Sequence, residues 1–212
     1  MKKVILLIIA LFIMTGCSNI NKAEIEDLIK EVQSSKLNLT NQFRTGYKYF
    51  LPVGLNLRET TNLNEIFETR DYSYFLFVDL VSYYNKAVFE FEVDEDAYIS
   101  MDISHNDIQG YLTVKQKGDK YLIEIMYNYA KIEVVVDESY LREAIVTSIV
   151  ILSTIKFNDD IINNMMGDNI FEHGEEQLSI FKNNQGEGNF IELIDEYDAY
   201  DGDALPDPDR IN

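Results

Sequence analysis

The stretch AYISMDISHNDIQGYLTVKQKGDKYLIEIMYNYAKIEVVV, Ala97–Val136, decides the fold class. In AYISMDI, Ile99, Met101 and Ile103 fall on one face, and polar residues fall on the other. That period of two belongs to a strand buried on one side. NDIQG, ending at Gly110, reads as a turn. YLTVKQ follows and passes through KGDK, Lys117–Lys120, into YLIEIMYNYAKIEVVV. A Gly-Asp pair between alternating apolar runs is a hairpin signal, because Gly and Asp tolerate the positive φ of a tight turn.

The same pattern extends toward the N-terminus. AVFEFEV, Ala87–Val93, sets Phe89, Phe91 and Val93 against Glu90 and Glu92 and predicts another strand. EIFETRDYSYFLFVDLVSYY, from Glu65, is rich in aromatic and β-branched residues, as strands are. GYKYFL and LNLRE, on either side of Pro52 and Gly54, read as strands joined at a turn or edge. Residues 46–136 are therefore expected to form an antiparallel sheet of about six to eight strands. One face is apolar and needs a cover.

The cover follows directly. Asp137 is placed to cap a helix, with Glu138 in the first turn where the dipole favours an acid. SYLREAIVTSIVILSTIKF runs on to Phe157, with Leu141, Ile145, Ser148, Leu152 and Ile155 on one stripe. Its apolar centre is too short for a bilayer and suits a core helix. DDIINNMMGDNIF predicts a second short helix closed by Gly167, and KAEIEDLIKEVQSSKL an amphipathic helix over 22–36, with Asn21 as its cap. That helix would pack on the domain or serve as a stalk. The fold class expected is α+β, an antiparallel sheet covered by helices.

The first residues carry an address. Lys2 and Lys3 precede an apolar run from Val4 to Met14, then small residues and Cys17, the single cysteine. This is the layout of a secretory signal peptide. As a helix the run would rise about 16 Å, against a bilayer core of roughly 30 Å. MTGC, with Met14, Thr15 and Gly16 before Cys17, resembles the bacterial lipobox, with Met14 where Leu is usual. The resemblance implies a diacylglyceryl group on Cys17, removal of residues 1–16, and a lipid anchor on the extracytoplasmic face of the cell membrane. Two acyl chains give the stable anchoring that one cannot. With Cys17 acylated, no thiol is left for disulfides or thiolate chemistry.

The formal net charge is -19, and removing Lys2 and Lys3 makes it more negative. Such a chain repels nucleic acid and anionic lipid heads and favours partners with basic patches, or cations. Much of the acid lies at the end. From Glu187 onward there are nine acids and one Arg. Gly186, Gly188, Pro206 and Pro208 interrupt that stretch. Residues 183–212 are expected to be a disordered acidic tail, in which NFIELIDEY could fold as a helix on a partner through Phe190, Ile191, Leu193, Ile194 and Tyr197. The expected organisation is 1–16 signal peptide, 17–45 tether and amphipathic helix, 46–182 α+β domain and 183–212 tail.

Two pieces resemble PsbP/Mog1-like domains. GYKYFLPVGLNL, 46–57, is similar to their opening aromatic strand and Pro-x-Gly turn. IVILSTIKFN, 149–158, is similar to the end of their closing helix. The resemblance implies a sheet sandwiched by helices, and an accessory or assembly role beside membrane-associated complexes.

Catalytic signatures are scarce. His105 follows Asp102 by three residues, and His173 sits among Glu172, Glu175 and Glu176. Neither has the spacing of a zinc site. Glu90 and Glu92 share an expected strand face, which suits a solvated surface better than a glycosidase pair. Asp195, Asp198, Asp201 and Asp203 are hard oxygen donors near a Gly, without EF-hand spacing, and suit weak calcium binding. The expected function is a non-enzymatic, membrane-anchored accessory lipoprotein that binds another envelope protein. It needs no cofactor beyond the lipid on Cys17. The alternative is an extracytoplasmic ligand- or calcium-binding lipoprotein.

Overall fold

A computed structural model describes residues 22–61 and 63–167. Helix α1 (Lys22–Ser34) leads into a hairpin of β1 (Gln42–Arg44) and β2 (Tyr47–Tyr49). Then come β3 (Asn56–Thr61), β4 (Asn64–Glu68), β5 (Ser73–Val78) and α2 (Leu80–Tyr84). The meander β6 (Ile99–Asp102), β7 (Gly110–Lys117), β8 (Lys120–Tyr127) and β9 (Ala130–Asp137) follows. A 3-10 turn (Glu138–Tyr140), α3 (Leu141–Ser153), β10 (Lys156–Phe157) and α4 (Asp159–Gly167) complete the described elements. Seven strands form one antiparallel sheet in the order β3-β4-β5-β9-β8-β7-β6, and β1-β2-β10 form a second. The α+β class read from the sequence is the class observed.

The period of two explains the layers. Ile132, Val134 and Val136 of β9 pair across to Ile125, Ile123 and Tyr121 of β8, and all six are buried. Helix α3 lies over β8 and β9 and buries the stripe Leu141, Ile145, Ser148 and Leu152 against them. Helix α1 packs beside α3 through Ile25 and Ile29, each 1% exposed. Each such aliphatic side chain contributes about 1.5–3 kcal/mol by leaving water. Helix α1 also guards an edge. Lys22 Nζ donates to Ser100 O at 2.9 Å and Gln33 Nε2 to Ile103 O at 2.7 Å, which occupies carbonyls along the edge strand β6.

The turns carry the positive φ that tight hairpins require. Gly118 (φ +62) lies in the β7–β8 turn. Asn128 (φ 55) and Tyr129 (φ 57) join β8 to β9 as a two-residue connection with both residues left-handed, the geometry that matches strand twist. Gly110 serves a different need. A Cβ there would lie 2.6 Å from Tyr127 Cδ2 and 2.8 Å from Met126 O. Gly110→Ala is therefore expected to lower stability by about 1–3 kcal/mol, read as a lower urea midpoint at unchanged slope.

Four expectations are corrected. Ala87–Val93 is an irregular extended segment and not a strand. Its alternation comes from lying on the sheet. Phe89 and Phe91 both contact the Tyr111 ring, at 5.8 and 5.7 Å, while the Gln109 side-chain amide takes the place of a strand partner. That amide accepts from Phe89 N at 3.3 Å and donates to Phe89 O at 3.1 Å. Leu80–Tyr84, read with the strands, is a helix. Asp79 caps it by accepting from Ser82 N and Ser82 Oγ, both at 2.7 Å. Asp137 makes no capping bond; its carboxylate accepts the Tyr72 hydroxyl at 2.6 Å. The helix after it closes at Ser153, short of Phe157. There the Thr154 hydroxyl turns back to Ile151 O at 2.8 Å and accepts from Phe50 N at 3.1 Å. Lys156 and Phe157 then pair with Lys48 and Tyr47. Residues 47–48 and 156–157, far apart in the chain, thus meet in one small sheet.

Candidate functional site

The small sheet holds the densest polar chemistry among the described residues. The β1–β2 hairpin turns at Gly46 (φ +90), where a Cβ would stand 3.2 Å from both Ile162 and Leu80, so that only a hydrogen fits with ease. Alternation along β2 sends Tyr47 and Tyr49 inward and Lys48 outward. Beneath them Glu65 of β4 points into the protein, on the same face as Phe67. Its side chain is 0% exposed. Tyr47 Oη donates to Glu65 Oε1 at 2.9 Å, and Tyr49 Oη to Oε2 at 2.7 Å. Arg44 Nε donates to Oε2 at 2.8 Å, and Arg44 Nη2 reaches the same oxygen. Both carboxylate oxygens are engaged, and the charge is matched by Arg44. Burial, reinforced by the Glu65 charge and hydrogen bonds, pushes both tyrosine hydroxyls far above their ordinary pKa. The arrangement clasps the small sheet to the large one.

Against this clasp lies an open groove of about 590 Å³. Arg44 and Tyr47 form part of its wall; Phe43, Phe157 and Ile161 give it apolar surface, and Lys48, Lys156, Asn158, Asp159 and Asp160 line the rest. Phe43 is 69% exposed, a high value for a Phe on a strand. Phe157 stacks on Tyr83 at 3.9 Å, and Tyr83 donates to Asp159 at 2.7 Å. Burial and then Asp159 push the Tyr83 hydroxyl up to about 12. Phenylalanine rings beside charges of both signs suit the binding of a protein segment.

A second charged cluster lies on the opposite face of the large sheet. Lys131 Nζ is 2.7 Å from Glu133 and 3.8 Å from Glu124, and it lies 5.5 Å from the Phe77 ring centroid. Tyr111 donates its hydroxyl to Glu124. Burial opposes the Lys131 charge, but the two carboxylates hold its pKa above the ordinary value.

Asp102 and His105 serve separate purposes. Asp102 Oδ1 accepts from Ser104 N at 2.7 Å, and the His105 backbone bridges Ile108. Glu90 and Glu92 are exposed on the irregular segment. Among the described residues no group of three or more His, Cys, Asp or Glu is gathered to hold a metal ion. The lipobox residues Met14–Cys17, the cap Asn21, His173 with its neighbouring acids, the tail segment Phe190–Tyr197 and the acids Asp195, Asp198, Asp201 and Asp203 lie outside the described residues. Sequence reading missed Arg44, Tyr47, Tyr49 and Glu65. The signal that could have found them was Glu65 sharing strand parity with Phe67, an acid on an inward face. Compared with known proteins, the chain matches no family model and no curated protein.

Proposed function

We propose that this protein is a lipid-anchored, non-enzymatic accessory protein of the outer face of the cytoplasmic membrane. Cys17 carries the anchor, the groove beside β2 and β10 binds an envelope protein, and the acidic tail of residues 183–212 adds a contact to a basic patch. The observation that carries this reading is the exposed Phe43 beside Lys48 at an open groove lined by Phe157 and by charges of both signs. Lipobox and PsbP/Mog1-like resemblances support it from the sequence. The test is crosslinking in intact cells with recovery from solubilised membranes. The full chain is expected to yield one dominant membrane partner, and Phe43→Asp with Lys48→Glu to lose it by an order of magnitude or more, while Cys17→Ser leaves the membrane fraction. No partner from the unsubstituted chain would shift the reading to a small ligand in the groove.

A further inference from the structure

The two edges of the large sheet are treated differently. Helix α1 guards β6 at one end. Strand β3 ends the sheet on the other side, and its far edge has no strand partner among the described residues. Asn56, Leu57, Arg58, Glu59 and Thr60 are all exposed. An open strand of this length, 6 residues, is a template for another strand.

The pairing phase shows which groups that edge offers. Val78 N donates to Leu63 O at 3.0 Å and Thr69 N to Tyr72 O at 2.9 Å, at the two ends of the β4–β5 ladder. Antiparallel hydrogen bonds alternate along a strand, so Glu65 and Phe67 bond β5, and Asn64, Ile66 and Glu68 bond β3. Thr60 lies opposite Glu65 and Leu57 opposite Phe67, so these two turn their N–H and C=O groups to the open edge. In a regular strand such residues are two apart. Here Arg58 is inserted as a bulge between Leu57 and Glu59, and they are three apart.

We infer that β3 pairs with β3 of a second copy of this chain, antiparallel about a two-fold axis between Arg58 and Glu59, which joins two large sheets edge to edge. Spacing selects the partner. A regular strand meets only one of the two outward residues in register. A second copy carries the same bulge and meets both, Leu57 to its Thr60 and Thr60 to its Leu57. Charge agrees with spacing. The same register sets Arg58 opposite Glu59 of the second copy, once on each side of the axis. Arg58 also holds Glu68 of its own chain at 2.7 Å. Of the other charges on β4 and its turn, Glu65 is closed off by Arg44, and the exposed Arg70 and Asp71 offset each other. Each copy therefore brings Arg58 with Glu59 and Glu68, a small acidic excess that the backbone bonds must outweigh and that salt screens.

The experiment uses the full chain with Cys17→Ser, so that an introduced thiol stands alone, at physiological salt. Leu57→Cys and Thr60→Cys chains carry different tags and are oxidised separately and mixed. Both positions lie on one face, since Phe67 and Glu65 opposite them share it. The mixture is expected to form a disulfide several-fold faster than either chain alone. Position 57 faces position 60 of the other copy, whereas two 57s or two 60s are offset by about 10 Å, beyond the roughly 7 Å that a disulfide bridges. Equal rates in all three samples, or no disulfide in any, overturn the pairing. Charge gives a second reading that needs no thiol. Arg58→Glu and Glu59→Arg chains each set like charges opposite one another in a homodimer. Each is expected to sediment as a monomer alone and to pair when the two are mixed. A mixture that sediments like its separate chains overturns the register. An unsubstituted chain that stays monomeric at the highest soluble concentration overturns the pairing itself.

Discussion

Replacing Arg44 by alanine is expected to cost the folded domain about 3–5 kcal/mol, because it strands a carboxylate that has no access to water. Glu65 is 0% exposed at its side chain, and Arg44 supplies the matching charge. With Arg44 gone, Tyr47 and Tyr49 still donate to the two oxygens, but they are neutral. A domain of this size has about 5–15 kcal/mol in total, so the variant should lose a large share of its stability. Glu65→Gln removes the charge, keeps an acceptor for one tyrosine and gives the other an amide N–H from which its hydroxyl oxygen can accept. The double variant is therefore expected to be more stable than the sum of the single losses. Chemical denaturation of the four chains of this cycle measures the coupling. A cost for Arg44→Ala under about 1 kcal/mol, the value of an exposed pair, would contradict a buried clasp.

The second large effect is alkaline. Tyr47, Tyr49 and Tyr74 are all 2% exposed or less. Burial is the leading cause that drives each hydroxyl well above its ordinary pKa, with Glu65 reinforcing the first two. In the unfolded chain they titrate near pH 10. Below that pH both states hold these protons and the contribution to stability is fully present. Above it the unfolded chain loses protons that the folded chain keeps, so stability falls as pH rises. Each tyrosine contributes about 1.4 kcal/mol per pH unit, and the three together about 4 kcal/mol per unit above roughly pH 10.5. Melting from about pH 8 to about pH 11.5 should show a plateau and then a steep decline. Tyr49→Phe should start lower and decline by about a third less steeply. A melting temperature level to the end of that range would rule the effect out.

Much of the fold is legible in the sequence, for reasons that particular residues make plain. Lys117–Lys120 and the alternation around it can hardly read as anything but a hairpin, since local turn chemistry and strand period agree. Ala87–Val93 has the same alternation and misleads. A segment laid on a sheet also presents every second side chain to it, and nothing local reveals that its amide partner is the Gln109 side chain. Leu80–Tyr84 is five residues long, too short to display a helical period, and its Tyr residues argue for strand. Only the Asp79 cap with Ser82 marks it. The Glu65 clasp is hidden because its donors lie some twenty residues away, and an acid on a strand is ordinarily solvated. The end of α3 is hard to place because Thr154–Phe157 satisfies either structure locally. Pairing with β2, far back in the chain, decides it.

That pairing also sets an order of events in time. Tyr47 lies opposite Phe157 and Lys48 opposite Lys156. As the chain emerges from its N-terminus, β7, β8 and β9 can zip together at once, because their turns are two residues long. Strand β2 must wait for the arrival of β10, more than a hundred residues later. A chain that stops before Lys156 keeps an open strand edge beside Tyr47 and Tyr49, a template for aggregation or proteolysis. The last strand among the described residues thus works as a seal: a chain that has reached Phe157 closes this edge, and one cut short before Lys156 leaves it open.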